Sequence, residues 1–148
     1  MMKQSEAADI LVVEDSTGDA ELTLEALKAR GLGGKVVHFL DGDGVLEFLG
    51  ANTWSPESVA GSAPRLVLLD WNLGRVPGFE VLHQLKVRER TRPIPVVVFT
   101  GSYDEQEMLK SYRLGANSYV VKPTDPDRYL QLVGDIVHYW LEVNRPYR

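Results

Sequence analysis

Leu66-Val67-Leu68-Leu69-Asp70 is an unbroken apolar run that ends on an acid. So short a run reads as a strand buried on both faces, with Asp70 at its carboxyl end. Three more runs repeat the pattern: Ile10-Leu11-Val12-Val13 leads into Glu14-Asp15, Val96-Val97-Val98-Phe99 into Thr100, and Ser118-Tyr119-Val120-Val121 into Lys122-Pro123. In an open parallel sheet the carboxyl ends of the strands share one edge, and ligands bind there. Three carboxylates, a hydroxyl and an ammonium are therefore expected to converge on one crevice, a set suited to a divalent cation and a phosphoryl group.

Between the runs lie helical patterns, and this alternation argues for βαβ units around a parallel sheet. Strands are expected at residues 9–13, 35–40, 66–69, 96–100 and 118–121. Helices are expected at residues 19–30, 44–49, 78–88, 104–114 and 127–142. Ala20, Leu24 and Leu27 share one face of the first, which Gly31 would end. Residues 51–64, rich in Gly, Ser and Pro, form a long polar loop. Residues 1–8 read as a polar tail, and residues 9–148 as one domain with no internal repeat.

The bulk properties exclude several function classes. The chain of 148 residues fits one domain with a real core, and its net charge of -5 carries no basic stripe for nucleic acid. Arg88, Arg90 and Arg92 are interrupted by Glu89 and read as a solvated helix end. The absence of cysteine excludes disulfides, zinc thiolates and thiol catalysis. No apolar run reaches membrane-spanning length and no signal peptide precedes the first strand, so a cytoplasmic protein with no membrane association is expected.

Magnesium takes hard oxygen ligands. Asp15 and Asp70 each offer a carboxylate oxygen, Glu14 can hold a coordinated water, and the loop after Asp70 can offer a backbone carbonyl. Taken singly, each residue has a plainer role: Glu14-Asp15 as a polar strand end capping the next helix, Asp70 as a common strand-ending acid, Thr100 as a β-former, Lys122 as a surface lysine. Their joint placement favours the site. The bond before Pro123 is where a cis peptide would aim Lys122 inward. Gly101 and Ser102 leave space for a bulky donor. His38, His83 and His138 are scattered and read as ordinary strand or helix residues.

With LVVEDS, LVLLDWNL, PVVVFTGS and GANSYVVKP in this order, the chain resembles the response-regulator receiver domains of two-component signalling from Ile10 to about Leu141. The resemblance implies a flavodoxin-like α/β fold: a single doubly wound domain, its five-stranded parallel sheet of order 2-1-3-4-5 flanked by five helices. It implies Asp70 as phosphoacceptor, with Asp15, Glu14 and the carbonyl of Asn72 completing the magnesium site. Thr100 and Tyr119 match the switch pair and Lys122 the phosphate-binding lysine, with Gly101 beside them. Gly74 stands where the family often has proline, which implies a more mobile loop, and Gly78 keeps the family's glycine. The stretch VEDSTGDAELTLEAL, the long loop before the third strand and the ending VHYWLEVNRP are similar to the stand-alone regulators paired with bacterial phytochromes. That likeness implies a light-regulated histidine kinase as partner.

The implied function is phosphoryl transfer from a kinase phosphohistidine to Asp70, followed by signalling through protein contacts, because no output domain is expected after the last helix. The protein would catalyse only its own phosphorylation and dephosphorylation. Thr100 would draw its loop inward, and Tyr119 would rotate into the vacated space. A magnesium-dependent haloacid-dehalogenase-like phosphatase is the rival; it needs an acid two residues after the nucleophile, where Asn72 stands. A flavin carrier on the same sheet order is disfavoured by the acidic first loop. In the last helix, Tyr129, Leu132, Ile136, Tyr139 and Trp140 belong to an apolar arc of roughly 200°, wider than one sheet face needs. A homodimer through the fourth helix, fifth strand and fifth helix is expected to cover the excess; the alternative is that residues 140–147 fold back over the chain.

Overall fold

The computed structural model describes residues 8–51 and 63–146 of the 148-residue chain. Its strands are β1 (Ile10–Val13), β2 (Val36–Phe39), β3 (Leu66–Leu69), β4 (Val96–Thr100) and β5 (Ser118–Val121). Its helices are α1 (Thr17–Ala29), α2 (Gly42–Ala51), α3 (Gly78–Val87), α4 (Glu105–Arg113) and α5 (Pro126–His138). A 3-10 turn, Gly33–Lys35, leads into β2, and a π-helical turn, Tyr139–Val143, extends α5. The strands form one sheet of order β2-β1-β3-β4-β5 with every neighbouring pair parallel. The expected fold class is the one observed.

Alternate residues of the inner strands feed two cores, as the two-residue period of a strand demands. Leu11, Val13, Val67, Leu69, Val96 and Val98 pack with Val45 and Leu49 of α2 and with Val81, Leu82 and Leu85 of α3. Ile10, Val12, Leu66, Leu68, Val97 and Phe99 face the other way, onto Ala26 and Leu27 of α1 and Tyr129, Val133, Ile136 and Val137 of α5. This double burial is why the strands read as solid apolar runs. The register pairs Ile10 with both Val36 and Leu66, so the ends of β1, β2 and β3 are level.

Several expected boundaries move, each for a local reason. Helix α1 starts two residues early because the Ser16 hydroxyl caps it, accepting from the Asp19 amide at 3.3 Å. Gly31 ends that helix with φ +76°, a left-handed conformation that favours glycine. Asp125 caps α5, which keeps α geometry only to His138 before widening. Ala8, placed in the tail from sequence, is buried in the first core. The long polar loop of residues 51–64 lies mostly outside the described residues, as do residues 1–7 and 147–148. Arg88, Arg90 and Arg92 donate to Gln84, to the Leu49 carbonyl and to the Lys86 carbonyl, so the arginine cluster ties helix ends. Among the described residues no helix is long and apolar enough to cross a membrane.

The apolar arc of the last helix needs a larger correction. Tyr129 and Ile136, assigned from sequence to a dimer interface, are only 2% and 7% exposed in the protein's own core. The arc is wide because α5 packs against two neighbours, the sheet and α1. The Tyr129 hydroxyl bonds the Thr23 hydroxyl of α1 at 2.9 Å. Leu132 and Trp140 are half-buried against the second core, and Tyr139 is exposed. The Arg65 guanidinium donates to the Leu141 carbonyl at 2.6 Å, so the π-helical turn is tied to the start of β3. Trp140 and Leu141 thus pack on the chain's own core by extending the last helix rather than by folding back, while Glu142 and Val143 stay exposed.

Candidate phosphoacceptor site

The ends of β1, β3 and β5 bring Glu14, Asp15, Asp70 and Lys122 to a single crevice, with Thr100 at the end of neighbouring β4. Glu14 extends the ladder beyond β1, its amide donating to the Phe39 carbonyl at 3.0 Å. Asp70 extends β3 likewise, its amide donating to the Val13 carbonyl at 3.0 Å. These two bonds hold the acids on adjacent strand ends. Carboxylate oxygens of Glu14, Asp15 and Asp70 all lie within 4.8 Å of one another. Glu14 and Asp70 are buried and Asp15 is exposed, so the cluster opens to solvent on one side. A buried cluster of like charges is costly unless a cation offsets it. Hard oxygen donors at this spacing fit a small divalent cation.

Lys122 supplies positive charge from β5. Its ammonium donates to Glu14 Oε1 at 2.5 Å and to Asp19 Oδ2 at 2.8 Å, and stands 3.5 Å from Asp70 Oδ2. The Lys122 amide donates to the Thr100 carbonyl at 2.7 Å, which registers the lysine against β4. The bond before Pro123 is trans, since no cis peptide occurs among the described residues. The side chain turns inward on a trans bond, drawn by the carboxylates. Burial opposes the charge on Lys122, but the hydrogen bonds to Asp19 and Glu14 outweigh it and hold the ammonium above the usual lysine range. Burial pushes the Glu14 carboxyl up to about 7, and neighbouring Asp70 adds to the rise against the lowering effect of Lys122.

Thr100 is fully buried, and its hydroxyl accepts from the Ser102 amide at 3.4 Å. Gly101 is exposed, with open space where a side chain would project. The Tyr119 hydroxyl donates to the Ser102 carbonyl at 3.0 Å, and its ring packs on the first core. This tyrosine is thus joined to the loop after β4. Burial pushes its phenol pKa up. Across the crevice, the Asn72 amide donates to Asp70 Oδ1 at 3.3 Å. Gly78 is obligatory there: a Cβ would stand 2.5 Å from the Asp70 carbonyl and 2.8 Å from the Trp71 Cα.

Two residues of the site escaped the sequence reading. Asp19 was a helix-start residue, yet it binds the crevice lysine. His38 was an ordinary strand residue, yet its Nε2 bonds the Glu14 carbonyl at 2.8 Å. The only signals were the Ser16-to-Asp19 spacing, which reads as a helix cap, and a polar ring on an edge strand.

Residues 10–134 match the family model of the response regulator receiver domain. The chain is 39% identical over 136 residues to the probable methanogenesis regulatory protein FilR2 of Methanothrix harundinacea, covering 92% of this chain and 85% of that one. It is 36% identical to the response regulator Rcp1 of Synechocystis, covering 90% and 88% of the two chains. A solved Mn2+-bound form of Rcp1 superimposes with a TM-score of 0.81 at 34% identity, covering 94% and 98%. The phosphorylated cyanobacterial phytochrome response regulator RcpA superimposes with a TM-score of 0.83 at 32% identity, covering 94% and 97%. The chain belongs to the response regulator receiver family, and the phosphatase reading is left without support.

Proposed function

We propose that this receiver domain takes a phosphoryl group onto Asp70 from the phosphohistidine of a partner kinase and signals through protein contacts. The observation that carries this reading is the setting of Asp70: 7% exposed, with two other carboxylates within 4.8 Å and an ammonium at 3.5 Å. An Asp70 carboxylate oxygen attacks phosphorus in line as the bond to the histidine nitrogen breaks, and an acyl phosphate results. The freed imidazole takes a proton from solvent. Lys122 neutralises charge on the phosphoryl oxygens, and the Thr100 hydroxyl donates to one of them. Asp15, Asp70 and the Asn72 carbonyl, with Glu14 through a water, would hold a magnesium ion, which would supply further positive charge there. Thr100 and Tyr119 both bond the Ser102 backbone, so a pull on Thr100 reaches Tyr119 through one loop. Water later hydrolyses the acyl phosphate; the protein acts on no other substrate.

Acetyl phosphate with magnesium should add one phosphoryl mass to the protein, and Asp70→Asn should abolish the gain. A stable adduct on another residue would sink the assignment.

We infer a phytochrome histidine kinase as the donor, in the cytoplasm, supported by the likeness to RcpA. Red and far-red illumination of such a kinase should change the rate of transfer to Asp70. We also propose a homodimer through α4, β5 and α5, without contact to nucleic acid or membrane. Support comes from Leu109 and Tyr112 of α4 and Tyr139 beyond α5, all exposed, with half-buried Leu132 and Trp140. Sedimentation should show mass rising across micromolar concentrations and Trp140→Glu weakening the association; a monomer throughout, phosphorylated or not, refutes it.

A further inference from the structure

We infer that Asp19 is a positioning residue for Lys122: it holds the ammonium, already bonded to Glu14, on the α1 side of the crevice and off the Asp70 carboxylate that would otherwise capture it. This rests on the proposed metal and phosphoacceptor roles of Glu14 and Asp70. Asp19 is the third residue of α1, and in a capping box an acid there reaches back to the amide of the capping residue. Here the Ser16 amide is taken instead by Glu14 Oε2 at 3.1 Å. The Asp19 carboxylate is thereby released from capping and meets Lys122 at 2.8 Å.

The backbone of Asp19 needs no help from that carboxylate. Its amide donates to the Ser16 hydroxyl, and its carbonyl accepts from the Tyr129 hydroxyl at 3.2 Å. The Tyr129 hydroxyl also bonds Thr23, so the first turn of α1 is pinned to α5 from behind. The Asp19 side chain is 37% exposed against 8% for Lys122, so it grips the lysine from the solvent side. An ammonium has three donors. With Glu14 and Asp19 on two of them, the third faces Asp70 at 3.5 Å, near enough to meet an oxygen carried by Asp70 and too far to neutralise it fully at rest.

Without Asp19 the ammonium would close the gap to Asp70 and compete with a cation for its oxygens. Asp19→Asn should therefore raise the magnesium dissociation constant about fivefold, followed through the emission of buried Trp71 beside the site. In a Lys122→Met background the same change should alter it less than twofold, because the residue acts through the lysine. Urea denaturation of the four proteins in chelator reads the pair without any metal. There the two substitutions should be non-additive, by about fivefold in the folding equilibrium constant. If wild type binds no magnesium, the metal reading falls while the urea cycle still decides whether Asp19 holds Lys122. Additive effects in the urea cycle, or equal effects of Asp19→Asn on magnesium affinity with and without Lys122, would overturn the proposal.

Discussion

Helices α5 and α4 flank neighbouring parts of the same crevice and are held in opposite ways. Helix α5 buries Tyr129, Val133, Gly134, Ile136 and Val137. Helix α4 buries only Ser111. What fixes α4 is mainly polar: Asp104 accepts from the Gln106 amide at 2.8 Å, and the Tyr112 hydroxyl accepts from the Tyr119 amide at 3.2 Å. Lys110 adds a cation–π contact 3.6 Å above the Phe79 ring. Elements with few buried apolar contacts open at lower free energy than the core. The crevice thus lies between a fixed wall, α1 with α5, and a compliant one, α4 with the loop after β4. A charge change on Asp70 is expected to move the compliant wall.

The sharpest way to break this contrast is to truncate one leucine on each side. Leu27 of α1 is fully buried, and Leu27→Ala should cost about 3 kcal/mol through lost burial and a cavity. Leu109 of α4 is 44% exposed, and at concentrations low enough to keep the protein monomeric Leu109→Ala should stay within about 0.5 kcal/mol. Urea denaturation measures both; equal costs would erase the distinction.

A smaller effect tests the electrostatics of the crevice between the walls, at the end of β1. The Glu14 carboxyl is raised from 4.5 to about 7, so the unfolded chain loses this proton first. Its contribution to stability is fully present below about pH 4.5 and lost as pH rises through about 7. In metal-free protein, wild type should lose on the order of 2 kcal/mol over that interval relative to Glu14→Gln. Added magnesium should flatten the difference by favouring the ionised form. Parallel pH profiles for the two proteins would show that burial does not govern Glu14.

The smallest expected effect lies on the compliant wall. Tyr119→Phe removes the bond to the Ser102 carbonyl, worth about 1 kcal/mol. Amide exchange should quicken in α4 and the loop after β4 while α5 is unchanged. Equal quickening in both helices would mean that the walls move together.

The buried strands were legible because burial on both faces writes itself as an apolar run ending in a polar residue. Asp15, Asp70, Thr100 and Lys122 were legible for the same reason: strand ends in a parallel sheet share an edge. Asp19 was not, because an acid three residues after Ser16 has a sufficient local explanation as a cap, and only the fold shows Glu14 taking the amide it would have bonded. Tyr129 and Ile136 were misplaced because periodicity shows how wide an apolar arc is and not how many neighbours cover it. The π-helical turn after His138 has no periodic signature; the Arg65 bond to Leu141 that accompanies it spans 76 residues.

The crevice also has a birth order. Its lysine is bonded to acids 108 and 103 residues earlier in the chain. During synthesis the early acids therefore emerge long before their counter-charge, and contacts so distant in sequence form late. A nascent chain released before residue 122 carries the nucleophile but not the ammonium. Competence to receive a signal is therefore acquired only once residue 122 has been added, and a chain stopped before it is electrically unready to draw phosphate from its donor.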